Sequence, residues 1–144
     1  MTPTPRATLD LARPEHAHLQ ERLERDLIVW ISSTRPDGRP HLVPVWFLWQ
    51  DGELLMFSKP DQKVRNLRAH PAVVFALDNT DTGEDVALIE GVARLLPEGE
   101  APTPDSLSAY AQKYAGKLTE MGWTPASMAQ SYTQAIRITP TRFL

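Results

Sequence analysis

Apolar residues fall along this chain in short clusters, each bounded by turn-forming residues. Residues 27–33 read Leu-Ile-Val-Trp-Ile-Ser-Ser, β-branched and aromatic, and predict a strand. Residues 41–49 predict a second strand. Between the two, Arg35-Pro36-Asp37-Gly38-Arg39 predicts a tight turn, in which Pro presets φ and Gly accepts a positive one. Gln50-Asp51-Gly52 is a hairpin signal leading into a third strand over 53–57. A fourth strand is predicted over 72–77 and a fifth over 86–96, where Gly91 signals a bulge or a close backbone approach. The sixth covers 134–139 and is closed by Pro140.

Helical spacing predicts four further elements. Leu19 and Leu23, four apart among charged neighbours, mark a helix over 14–25. Asp61 is placed to cap a helix from 62 to about 69, with Val64 and Leu67 inward. Thr103-Pro104-Asp105 opens a third, with Leu107, Tyr110, Ala111, Tyr114 and Leu118 in phase until Gly122 stops it. Thr124-Pro125 starts a short fourth. Residues 1–13 read as a loose tail, 79–85 as a polar loop and 97–102 as a linker. Six strands in hairpin succession, with helices as late insertions, predict a mainly β fold. The expected architecture is a six-stranded antiparallel barrel with peripheral helices, one domain over 1–144.

Composition narrows the function classes. The chain has 144 residues, 42% hydrophobic and 23% charged, with a net charge of -3 and no cysteine. Such a balance gives no general attraction to nucleic acid or to an anionic membrane, so any phosphate site must be local. Without cysteine there is no disulfide framework, thiolate nucleophile or cysteine metal site. The apolar run over 42–49 is far too short to span a bilayer. The first residues lack a signal peptide's apolar core, so a cytoplasmic location is expected.

Candidate chemistry gathers in two places. Lys63, Arg65 and Arg68 make a basic helix start, which Ser58 and Lys59 could join around an anion. The same cations also read as an ordinary solvated helix face. Pro44-Val45-Trp46 puts a residue without an N–H into a strand, marking an edge, a bulge or backbone that faces a ligand. Trp30 and Trp49 read as core or interface anchors, and Trp46, beside Pro44, less so. The spacing of His16, His18, His41 and His70 gives no metal site, and His70 reads as a cation at a helix C-terminus. Asp81, Glu84 and Asp85 read as a solvated turn. No dinucleotide fingerprint, phosphate loop or nucleophile elbow is present, and no acid, base or nucleophile stands out. That fits a protein whose chemistry is supplied by a cofactor.

The ordered set Ile31-Ser-Ser-Thr-Arg-Pro-Asp-Gly-Arg-Pro-His41, Pro44-Val-Trp-Phe-Leu-Trp49, Ser58 and Lys63-Val-Arg-Asn-Leu67 resembles the pyridoxamine 5'-phosphate oxidase-like split-barrel proteins. Within them it is most similar to the branch of F420-dependent enzymes, and Tyr110-Ala-Gln-Lys-Tyr114, Gly122-Trp123-Thr-Pro125 and Ile136-Arg-Ile-Thr-Pro-Thr-Arg-Phe143 also fit that branch. The resemblance implies a homodimer with F420 or FMN bound at the subunit interface. The phosphate would lie near Ser58, Lys63 and Asn66, within reach of Lys59, and the ring along Val43, Pro44, Val45 and Trp46. Partner-chain residues would close the pocket, with Trp123 and Arg137 as candidates. The acidic tail of F420 would favour Arg35, Arg39 or Lys59. The implied reaction is hydride transfer between the reduced cofactor and a small unsaturated or aromatic substrate. The alternative is a non-catalytic protein that binds or sequesters flavin, F420 or haem. Nothing in the sequence supplies a site for pyridoxamine phosphate as a substrate.

Overall fold

The structure, a computed structural model, describes residues 5–77, 82–97 and 104–144, with side chains described from 107 onward in the last stretch. Among these residues seven strands form one antiparallel sheet: β1 (Val29–Thr34), β2 (Pro40–Val45), β3 (Leu48–Gln50), β4 (Glu53–Ser58), β5 (Ala72–Leu77), β6 (Ala87–Leu95) and β7 (Gln134–Phe143). Their order across the sheet is β2-β1-β5-β6-β7-β4-β3. The helices are α1 (Pro14–Arg25), α2 (Gln62–Ala69), α3 (Pro104–Lys113), α4 (Ala115–Met121) and α5 (Pro125–Ser131). None of the described helices is long and apolar enough to cross a membrane.

β2 and β3 stand at opposite ends of the sheet, yet only residues 46 and 47 separate them in the chain. The step from residue 45 to 48 spans at most roughly 11 Å. The sheet must therefore curl until its two ends face each other, which gives the mainly β, barrel-like class expected from the sequence. The count rises from six strands to seven for the same reason. The run over 41–49 serves both ends, pairing through 40–45 with β1 and through 48–50 with β4. One straight strand cannot do both, and the break falls at Trp46-Phe47.

Two further expectations change on contact with the structure. β7 does not stop at Pro140 but runs on to Phe143. Its register against β6 slips between Glu90, which faces Arg142, and Gly91, which faces Pro140, so the irregularity falls at the residue with no N–H to donate. A Cβ on Gly91 would lie 2.8 Å from both Ile138 Cγ2 and Thr139 O, the close approach that its position predicted. The long third helix is broken into α3 and α4 at Tyr114, whose ψ of 10° leaves the helical range. Gly122, at φ 72°, caps α4 in the left-handed region, and a Thr124–Ser127 capping box starts α5.

The expected tail and turn are also more engaged than predicted. From residue 5 onward the N-terminal segment is anchored. The Ala7 N–H donates to Pro140 O at 2.8 Å, Arg6 pairs with Glu53 at 3.0 Å, and Leu9 packs on the core. Asp81, the linker residues 98–102 and the helix-start residue 103 lie outside the described residues. Asp85, read as a solvated turn carboxylate, pairs with His18 at 2.9 Å and with the buried Arg22 at 3.2 Å.

Alternate residues of β1 and β5, Val29, Ile31, Val73, Phe75 and Leu77, point into the barrel with Leu54, Met56, Ile89, Ile136 and Ile138. β4 lacks that alternation: Leu54 and Met56 face the barrel core, while Leu55 packs with Leu48, Tyr110, Tyr114 and Leu118 in a second cluster. The unbroken apolar run 54–57 thus reflects a strand covered on both faces, one of them by α3 and α4.

Candidate functional site

A cleft of about 510 Å³ opens where β2, the end of β4 and the start of α2 meet the helices inserted between β6 and β7. That volume lies in the range of small-molecule and cofactor sites. Its walls differ in character from end to end.

One end is polar and set by the turn from β4 into α2. Asp61 caps α2, its Oδ1 accepting the N–H groups of Lys63 at 3.0 Å and Val64 at 3.4 Å. Helical spacing then turns Lys63, Val64, Asn66 and Leu67 inward and leaves Arg65 and Arg68 in solvent. Lys63 Nζ donates to Ser58 Oγ at 2.9 Å and to Asp61 Oδ2 at 3.0 Å, and both Lys63 and Ser58 are buried. Burial by itself raises the Asp61 carboxyl pKa. The hydrogen bond and charge of Lys63, with the two N–H groups, outweigh it and hold Asp61 below the usual carboxylate range. Lys59 is exposed, with its ammonium 5.3 Å from the centre of the Tyr132 ring.

The other end is aromatic. Trp46 stacks face to face on Tyr114 with ring centres 4.5 Å apart, and Trp123 approaches Trp46 at 6.5 Å and Tyr132 at 6.2 Å. Tyr110 meets Phe57 edge to face at 4.9 Å. Behind this wall the Tyr114 hydroxyl fixes the chain break between β2 and β3. It accepts the Phe47 N–H at 2.8 Å and lies 2.7 Å from Leu27 O as donor. Lys113 Nζ donates to Phe47 O at 2.8 Å while lying 3.7 Å over the Phe47 ring. Burial, the larger influence, brings the Lys113 pKa from 10.5 to about 8, with Asp26 opposing it.

Of the residues singled out from sequence, Val43, Pro44, Val45, Trp46, Ser58, Lys59 and Lys63 all line this cleft. Pro44 does so as an edge residue, in register with Trp30 of β1. Asn66 is not in the wall. It is fully buried, donating to Ser33 Oγ at 3.0 Å and accepting from Gln62 at 2.7 Å. Trp123, expected from a partner chain, lines the cleft of its own chain. Arg137 lies mid-strand in β7 opposite Leu55 and Arg94, away from the cleft. Neither Arg35 nor Arg39 reaches it, and Arg39 pairs with Asp37 inside the turn at 2.9 Å.

Sequence reading missed Tyr110, Met128 and Tyr132 as wall residues, and His41 and Asp61 besides. The helical periodicity had flagged Tyr110, but only as an inward position. His41 Nδ1 is buried and has no hydrogen-bond partner among the described residues. An aromatic slot with a serine and two lysines fits a flat heterocycle that carries a phosphate arm.

Residues 16–144 match the family model described as pyridoxamine 5'-phosphate oxidase. A comparison with curated proteins finds no match. Among solved structures the chain is similar to an F420 reductase, with 27% identity and a TM-score of 0.68 over 87% of this chain and 94% of that one. It is similar to a conserved hypothetical protein from Mycobacterium tuberculosis, with 25% identity and a TM-score of 0.68 over 97% of this chain and 88% of that one. It shares its fold with HutZ, the heme storage protein from Vibrio cholerae, at a TM-score of 0.69 and 13% identity, over 89% and 92% of the two chains. With the family match taking in all but residues 1–15, the chain belongs to the pyridoxamine 5'-phosphate oxidase family.

Proposed function

We propose that this protein is an oxidoreductase that binds F420, or in second place FMN, in the cleft between β2 and α2. It would move a hydride between the reduced cofactor and a small unsaturated or aromatic substrate. The observation that carries the reading is the cleft itself, with Ser58 and Lys63 buried at one end and Trp46, Trp123 and Tyr132 at the other. The 27% identity to an F420 reductase over most of both chains favours F420.

When bound, the cofactor ring supplies the hydride chemistry. The chain's own residues bind, orient and exclude water. Ser58 Oγ and Lys63 Nζ would hold the phosphate, and Lys59 would add charge beside it. The backbone of 43–46 would face the ring, and Trp46, held on Tyr114, would set one wall.

The working form is a cytoplasmic homodimer with the cofactor close to the subunit interface. The outer face of β2, β1, β5 and β6 supports this, since it exposes Leu42, Trp30, Val74, Leu88 and Val92 together.

A second reading is binding without turnover, of a flavin or of haem. His41 favours it, because it lines the cleft with a ring nitrogen that has no partner among the described residues, and turned into the cleft it would serve as an iron ligand. One experiment separates the two. Reduced F420 is mixed with an enone or a quinone, with and without the protein, and the return of oxidised-cofactor fluorescence is followed. Protein-dependent reoxidation supports the oxidoreductase. A bound cofactor that no acceptor reoxidises supports the binding role.

A further inference from the structure

The basic end of the cleft contains an acid. Asp61 lines the cleft beside Lys59 and Lys63, and the charged side chains of the wall therefore leave one net positive charge. Its carboxylate already occupies the groups that would meet a phosphate: the N–H groups of Lys63 and Val64 and, at 3.0 Å, the Lys63 ammonium. Its side chain is 47% exposed, so it also faces whatever enters.

Cofactors of the proposed class differ in phosphate charge. FMN ends in a phosphate monoester that carries close to two negative charges at neutral pH. The phosphate that links the ribityl chain of F420 to its tail is a diester and carries one. Repulsion from a fixed carboxylate scales with ligand charge, so it is twice as large for the monoester. Lys63 cannot turn fully to a ligand without loosening its contact with Asp61.

We propose that Asp61 is a specificity-determining residue of this cleft, disfavouring a doubly charged phosphate monoester relative to a singly charged diester. This rests on the cofactor-binding reading above and adds the class of phosphate. Asp61 acts by charge, and its cap is a separate role that asparagine or serine also performs.

The test uses three ligands that differ by one charge at a time, riboflavin, the methyl ester of FMN and FMN itself, with F420 alongside them. Affinities are measured by fluorescence for the wild-type protein and for Asp61→Asn and Asp61→Ser, with thermal melts to show that both variants fold. The expected result is that both variants tighten FMN roughly tenfold, tighten its methyl ester roughly threefold and leave riboflavin unchanged. An unchanged ratio of FMN to methyl ester overturns the proposal, as does an equal gain for riboflavin. Absence of binding by all four ligands overturns the cofactor reading as well, whereas binding with an unchanged ratio overturns this inference alone.

Discussion

Tyr114 shows how much of this fold hangs on one hydroxyl. It is buried, it accepts the Phe47 N–H, and Phe47 is the residue at which the chain leaves one edge of the sheet for the other. Tyr114→Phe keeps the stack on Trp46 but leaves that N–H buried and unpaired, a loss of about 1–3 kcal/mol in urea unfolding. A variant as stable as the wild type would show that water or a shifted backbone replaces the hydroxyl. Lys113 holds the Phe47 carbonyl from the next position and gives a pH signature. With its pKa brought down from 10.5 to about 8, mainly by burial, the folded state binds fewer protons than the unfolded one between those values. Its contribution to stability therefore rises with pH across that window. Tyr110 and Tyr114, whose pKa values burial raises above 10, act in the opposite sense only at higher pH. Unfolding free energies at about pH 7.5 and about pH 9.5 should show this rise in the wild type and a smaller one in Lys113→Met. An equal rise in both would remove Lys113 as its source. Neither role was legible from sequence, where Tyr114 stood as an inward helix position and Lys113 appeared only within the Tyr110–Tyr114 stretch that fits the family.

At the scale of elements, the β6–β7 pair makes the sharpest stability prediction. Gly91→Ala drives a methyl into Ile138 and the Thr139 carbonyl, and a backbone atom cannot step aside as a side-chain tip can. The expected loss is about 1–3 kcal/mol, read as a lower urea midpoint with an unchanged slope. A midpoint within error of the wild type would mean that the bulge absorbs the methyl. Elements whose ends carry local chemistry were read correctly from sequence. α1 begins at Pro14, α2 is capped by Asp61, and β5 is bounded as predicted. Misread ends are those decided by distant parts of the chain. Residues 41–49 split because two edges of one sheet compete for them, and β7 passes Pro140 because Gly91 opposite opens a bulge. The candidate site divides in the same way. Ser58, Lys59 and Lys63 were found because they flank a helix start, whereas Met128 and Tyr132 arrive from helices inserted some seventy residues later.

For the whole molecule, the proposed dimer through the outer face of β2, β1, β5 and β6 predicts a linked equilibrium with the cofactor. If the dimer completes the cofactor site, dilution into the monomer range releases the cofactor, and added cofactor shifts the dimer to lower protein concentration. Sedimentation with and without cofactor reads both effects, and a monomer that keeps full affinity would refute an interface site. The central claim is narrower: the cleft binds a flavin-type cofactor with its phosphate on Lys63. The direct test is a fluorescence titration of F420 and of FMN into the wild-type protein and into Lys63→Met, whose apolar stem fills the same buried path. We expect wild-type binding of at least one cofactor, with F420 favoured, and a loss of about 1.5–3 kcal/mol in the variant. No binding of either cofactor, or equal affinity in wild type and variant, would contradict it.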